Sequence, residues 1–145
     1  MIYLDTSVVV PLFVREPASE AVSEWFSAST DALVAADWLV TEFASALSIK
    51  VRQGHVRPDT AQQVWDEFDV LCAGGLRLLP VSRNAFAEAA RLVRQADSGL
   101  RAGDSLHLAV ALSCGARCLV TAEGNLEANA RRQGLETLRF KTRSM

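Results

Sequence analysis

Four acidic residues stand where chemistry is conceivable in this 145-residue chain: Asp5, Glu42, Asp104 and Glu123. Asp5 follows the apolar run Ile2-Tyr3-Leu4 and precedes two hydroxyls, Thr6 and Ser7. Glu42 lies in Thr41-Glu42-Phe43-Ala44, with Val40 and Leu47 nearby. Asp104 leads into the apolar stretch Ser105-Leu106-His107-Leu108-Ala109-Val110-Ala111, and Glu123 follows Leu119-Val120-Thr121-Ala122. Singly, each has an ordinary reading: Asp5 as a turn residue capping a helix, Glu42 as a solvated helix charge, Asp104 as an N-cap favoured by the helix dipole. Jointly they pose an electrostatic problem, because clustered carboxylates repel one another unless protons or a cation compensate. Hard divalent cations compensate through oxygen ligands, and Mg²⁺ keeps several waters while taking only a few carboxylates. Phosphodiester cleavage is a natural use of such a site, since a metal acidifies a bound water and stabilises charge on the phosphate.

The elements that would position these acids follow from periodicity and punctuation. Residues 2–5 read as a buried strand, and Thr6 and Ser7 cap a short helix through about Leu12. A helix is predicted over 17–27 and a strand over 33–36. Leu39, Phe43, Leu47 and Val51 recur every four residues and predict an amphipathic helix over 37–52, closed by Gly54. Pro58 opens a helix to about Leu71, stopped by Gly74-Gly75. There follow a strand at 76–81, a helix at 83–95, a loop with Gly99 and Gly103, and a helix at 104–113. A strand at 117–121, a helix at 125–132 and a strand at 135–140 complete the chain. Strands separated by helices imply an α/β fold with a parallel or mostly parallel sheet and right-handed crossovers. Ligands then bind beyond the carboxyl ends of the strands, an edge that all four acids can reach.

Composition bounds the rest. The length suits one domain, and 50% hydrophobic with 22% charged residues describes a globular chain. There is no repeat, low-complexity segment or linker. A net charge of −2 excludes binding nucleic acid by bulk charge alone. No basic leader or bilayer-length apolar run is present, so no membrane association is expected. Three cysteines, Cys72, Cys114 and Cys118, are an odd number that suggests reduced thiols and a cytoplasmic protein. Cys114 and Cys118 lack a second ligand pair, which argues against zinc.

With these residues in place, the chain resembles the PIN-domain ribonucleases, and among them the VapC-type toxins of bacterial toxin–antitoxin systems. The resemblance is carried by Ile2-Tyr3-Leu4-Asp5-Thr6-Ser7, Thr41-Glu42-Phe43-Ala44-Ser45-Ala46-Leu47, Leu100-Arg101-Ala102-Gly103-Asp104-Ser105-Leu106-His107-Leu108-Ala109 and Leu119-Val120-Thr121-Ala122-Glu123. It implies a Rossmann-like α/β/α PIN domain over residues 1–145, with the last few residues as a tail. It also implies a Mg²⁺ or Mn²⁺ site, endoribonuclease activity, a homodimer and inhibition by a cognate antitoxin, with DNA reached only through that antitoxin. Carried over by position, Asp5, Glu42 and Asp104 are the catalytic acids; Asp5 and Asp104 hold the metal, Glu42 directly or through water. Ser7 and Thr121 are supporting hydroxyls. The fourth acid is commonly Asp in the family and is Glu123 here. The longer side chain leaves three roles open: a ligand through water, a ligand to a second metal with RNA present, or a solvent-facing charge. Asn125 is a substitute ligand in that case.

Arg15 and Arg101 are the candidates for RNA phosphate contact, Arg91 and Arg94 read as solvated, and Arg139, Lys141 and Arg143 form a basic end. His107, one turn after Asp104, reads as a satisfied core histidine, and Trp25, Trp38 and Trp65 as core or interface residues. Apolar residues before position 72, Trp65 and Phe68 among them, are candidates for an antitoxin-facing surface. A phosphatase with an aspartyl nucleophile would want an acid where Ser7 stands, and a phospho-receiver domain would want a late lysine that neither Lys50 nor Lys141 supplies. The remaining alternative is a PIN-like domain kept for binding RNA or protein without catalysis.

Overall fold

Five short runs of strand-forming residues pair into one all-parallel sheet in the computed structural model, which describes residues 1–141. They are β1 (Ile2–Leu4), β2 (Leu33–Ala36), β3 (Arg77–Leu79), β4 (Cys118–Thr121) and β5 (Glu136–Arg139). Their order across the sheet is β3-β2-β1-β4-β5. Central β1 pairs Ile2 with both Leu33 and Cys118, and Leu4 with Val120. The chain lays down β2 and β3 on one side of β1 and then crosses to the other side for β4 and β5. The order therefore reverses between β1 and β4, the position where open α/β sheets form a crevice at their carboxyl ends.

Among the described residues seven α-helices connect the strands: α1 (Thr6–Val9, continued by a 3₁₀ turn Val10–Leu12), α2 (Ser19–Ala28), α3 (Trp38–Arg52), α4 (Pro58–Gly74), α5 (Arg83–Val93), α6 (Ala102–Ser113) and α7 (Gly124–Arg132). Strand alternation sends side chains to two separate cores. Ile2, Leu4, Leu33, Ala35 and Val120 meet α1–α4 on one face, while Tyr3, Val34, Ala36 and Leu119 meet α5–α7 on the other. The result is the expected α/β/α sandwich.

Two helices matter most for the site. The predicted stripe of α3 is buried at Leu39, Phe43 and Leu47, and Phe43 stacks on Phe68 of α4 with ring centroids 3.9 Å apart. Phe68 is wholly buried, among Phe13, Phe43 and Trp65, so it is packing rather than the partner surface the sequence suggested. Helix α6 is apolar nearly all round, and every residue from Ser105 to Ala111 is buried. It starts at Ala102, two residues earlier than the sequence pattern indicates. Arg101 is the extended cap residue (φ −92°, ψ 165°), and Asp104 lies inside the first turn rather than capping it.

Candidate functional site

The acidic residues from four separate segments line one cleft of about 640 Å³ at the carboxyl end of the sheet. Asp5 leaves β1 and is 2% exposed. Its backbone N–H continues the ladder to Val120 at 3.2 Å, which fixes the carboxyl against the end of β4. Ser7 Oγ donates to one carboxylate oxygen at 2.7 Å, and Thr121 Oγ1 donates to the other at 2.9 Å. Each hydroxyl is oriented in turn by a backbone donor: Ala122 N–H on Ser7 Oγ at 2.8 Å and Glu123 N–H on Thr121 Oγ1 at 2.9 Å. Both supporting hydroxyls expected from sequence are therefore at Asp5.

Burial lifts the Asp5 carboxyl from its ordinary 3.8 to about 6. The charge of His107 and the two hydroxyl bonds pull it back, and neighbouring Asp104 pushes it further up. Asp104, partly buried, is also raised, by burial first and then by the charge of Glu123, with Glu42 adding to it and His107 and Arg101 opposing. Glu123 is exposed at the cap of α7, and its charge reaches Asp104 across the cleft.

Glu42 behaves differently. Its Oε1 accepts from Thr6 Oγ1 at 2.6 Å and from the ring nitrogen His107 Nε2. Burial works to raise its carboxyl, but the bond and charge of His107, the Thr6 hydroxyl and the nearby Trp38 N–H bring it below the ordinary value. Trp38 Nε1 is buried and lacks a hydrogen bond of good geometry.

His107, 1% exposed, is the satisfied histidine expected, yet the groups that satisfy it belong to the site. Tyr3 OH lies 2.6 Å from Nδ1 and itself accepts from the Ala36 N–H at 3.2 Å. His107 is thus held from both ring nitrogens, by Tyr3 OH at Nδ1 and by the Glu42 carboxylate at Nε2. Burial holds the Tyr3 phenol well above its ordinary 10, which keeps the O–H. A relay from the β2 backbone through Tyr3 and His107 thus aims Glu42. Its other oxygen lies over Gly103, where an added Cβ would come within 2.7 Å of Oε2 and 3.2 Å of Trp38 Nε1.

Other sequence expectations fall in different places. Arg101 lines the cleft, whereas Arg15 is exposed and lines a separate depression with Glu20 and Glu24. Asn125 Nδ2 turns to the Gly99 carbonyl at 3.4 Å. Arg91 pairs with Glu88, Arg139 approaches Glu127, and Arg143 lies outside the described residues, as does the end of the tail. Trp25 packs on Phe140, and Trp65 packs beside Phe43 and Phe68. The three cysteines are free thiols, and no described helix is long and apolar enough to cross a membrane. Sequence reasoning overlooked Tyr3, Thr6, Gly103 and Lys50 as parts of the cleft or its support. Helical spacing from Glu42 could have placed Lys50 on the same face two turns along α3.

The donor set fits a divalent cation of a particular kind. Among the described residues no three His, Cys, Asp or Glu side chains are gathered closely enough to enclose an ion. A hard cation that keeps several waters needs only one or two carboxylates. Asp5 and Asp104, both pushed up by burial and by neighbouring acids, are oxygen donors that such a charge would relieve.

Comparison with known proteins agrees with this architecture. The family model for the PIN domain matches residues 2–132. Similar solved structures include VapC20 of Mycobacterium tuberculosis, described as a toxin that cleaves the sarcin–ricin loop. It is 16% identical with a TM-score of 0.74, and the match covers 96% of this chain and 99% of that one. FitAcB of Neisseria gonorrhoeae is similar at 17% identity and a TM-score of 0.72, covering 96% and 97%. VapBC2 of Rickettsia felis, bound to a DNA fragment from its promoter, is similar at 16% identity and a TM-score of 0.67, covering 97% and 100%. No curated protein matches the chain significantly in sequence.

Proposed function

The chain belongs to the PIN domain family, and from that premise we propose that it is a divalent-metal-dependent endoribonuclease acting as the VapC-type toxin of a toxin–antitoxin pair. The observation that carries the reading is Asp5: a carboxylate 2% exposed, gripped by two hydroxyls and facing further acids at the sheet's switch point. Burying such a group is costly unless a positive charge repays it. The solved structures that resemble the chain add weight, since their names describe an RNA-cleaving toxin and toxin–antitoxin complexes.

In this reading Asp5 and Asp104 hold Mg²⁺ or Mn²⁺, with Glu123 acting through water. A bound ion supplies Lewis-acid chemistry, acidifying water and offsetting charge on the scissile phosphate. The protein's own part is positional. Ser7 and Thr121 lock both oxygens of Asp5 in one orientation. Glu42, kept ionised and aimed by His107 and Thr6, accepts protons or hydrogen bonds from water in the cleft. Arg101 supplies positive charge beside an approaching phosphate. The homodimer, the cognate antitoxin and contact with DNA only through that antitoxin belong to the same proposal.

The test is cleavage of total cellular RNA with Mg²⁺ or Mn²⁺ by the wild type and by Asp104→Asn. Cleavage by the wild type, abolished by chelation and by the substitution, supports the reading. Two equally inert proteins would favour the non-catalytic binding domain. Expression of the wild type alone should arrest bacterial growth, and harmless high-yield expression would sink the toxin assignment.

A further inference from the structure

The cleft does not end at the carboxylates. It continues along one face of α3 past Ala46 and Ile49 to Lys50 and Gln53, positions that follow Glu42 at helical spacing. We propose that this arm is a groove for a single-stranded RNA segment, that Lys50 grips a phosphate there, and that Glu16 occupies Lys50 until RNA arrives. The proposal rests on the ribonuclease reading above and names a substrate-positioning residue within it.

The first support is charge. A cleft headed by Asp5, Glu42, Asp104 and Glu123 repels a polyanion unless cations elsewhere along it hold the strand. Lys50 and Arg101 are the lysine and arginine side chains lining the cleft. Lys50 lies eight residues beyond Glu42 on α3, about 12 Å along the axis at a rise of about 1.5 Å per residue. It is thus too distant to share the phosphate at the acids, and it meets a neighbouring one.

The second support is the floor. Ile49, 40% exposed, is a large apolar side chain lining the cleft beside Lys50, a surface for a base or ribose. The cleft, about 640 Å³ in volume, is large enough to receive nucleotide-sized groups.

The third support is the Glu16 contact. Lys50 Nζ lies 3.4 Å from Glu16, with the two side chains only 22% and 26% exposed. Glu16 is held in place through its backbone, whose N–H donates to the hydroxyl of buried Ser19 at 2.8 Å, and that hydroxyl donates to the Val14 carbonyl. A carboxylate fixed against a lysine inside the cleft stands where a phosphate oxygen would stand. Exchange of one anion for the other costs little, because a partly solvated ion pair is weak.

The experiment measures binding of a fluorescent single-stranded oligoribonucleotide by anisotropy across a salt series. Asp104→Asn serves as the background, so that RNA survives the measurement. Adding Lys50→Gln should weaken binding by roughly tenfold and flatten the slope of log K against log salt by about 0.7, one single-strand phosphate contact. Adding Glu16→Gln should tighten binding, and that gain should vanish when Lys50→Gln is also present. Unchanged melting temperatures establish that these variants are folded. If the wild type cleaves RNA but Lys50→Gln leaves affinity and slope untouched, the groove assignment is overturned and the nuclease stands. A loss of affinity with no change in slope overturns it equally. If the wild type neither binds nor cleaves RNA with Mg²⁺ or Mn²⁺, both readings fall together.

Discussion

Asp5 is a buried carboxylate whose charged form the metal-free fold disfavours. Its carboxyl is raised from 3.8 to about 6 in the native state, so the folded protein binds the proton more tightly than the unfolded chain does. The stability linked to that proton is fully present below about pH 4 and is lost as pH rises through about 6. The difference corresponds to about 3 kcal/mol against the metal-free fold at neutral pH. Asp104 shifts in the same direction and adds to the loss, while Glu42 shifts the other way and opposes it. Asp5→Asn is therefore expected to raise the metal-free melting temperature at pH 7.5 and to flatten its fall between pH 4 and 7. Thermal melts in chelator across that range check this, and an Asn variant melting below the wild type at pH 7.5 would contradict it. His107 makes the companion case. Replacing it by Leu removes the donor that aims Glu42, and support of this kind is worth roughly tenfold to a hundredfold in activity or metal affinity. The expected signature is a fall in kcat with KM for RNA little changed; a variant that merely loses stability, with kcat intact, would make the relay structural. Asp5 and Asp104 were legible in the sequence because an acid ending an apolar strand or opening an apolar helix stands out locally. The His107 relay was not, since Tyr3 and Glu42 lie 104 and 65 residues away in sequence, and only the sheet brings them together.

At the scale of elements, the sites of error were the helix ends near the cleft. The loop predicted around Gly103 is in fact the first turn of α6, because a glycine there lets Glu42 and Trp38 lie directly against the helix. Glycine is a poor helix former, and its use inside α6 costs about 1 kcal/mol relative to alanine. That cost identifies close approach as the reason for the residue. Gly103→Ala should thus separate stability from function. Alanine favours the helix, while its Cβ, 2.7 Å from Glu42 Oε2, displaces the end of a flexible side chain. The melting temperature is expected to hold or rise, and cleavage to fall by about tenfold, the lower range for a disturbed supporting contact. Thermal melts beside initial rates decide it; retained activity would mean that Glu42 needs no fixed position. The α3 stripe was readable because Leu39, Phe43 and Leu47 obey one period and do bury. The fate of Phe68 was not readable, because periodicity reports an apolar face without reporting what covers it.

For the whole molecule, strand–helix alternation sufficed to indicate the parallel sheet, whereas the strand order depends on which crossover lands on which side of β1. That order matters, because the reversal between β1 and β4 places Asp5 and Thr121 together and opens the cleft toward α6 and α3. The fold thus gathers negative charge that an unfolded chain would disperse, and a cation binding only the gathered form must stabilise it by mass action. At pH 8, Asp5 is ionised even with its raised carboxyl, and Mg²⁺ should raise the melting temperature progressively with concentration. At pH 5 the proton already neutralises Asp5, so an ion must displace it, and the rise should shrink. In Asp5→Asn the rise should be small at both values. Calorimetry of the two proteins at the two pH values, with Mg²⁺ and with Na⁺ at matched ionic strength, separates specific binding from screening. Equal stabilisation of the wild type and the variant would place the cation elsewhere on the molecule and remove Asp5 from the metal centre.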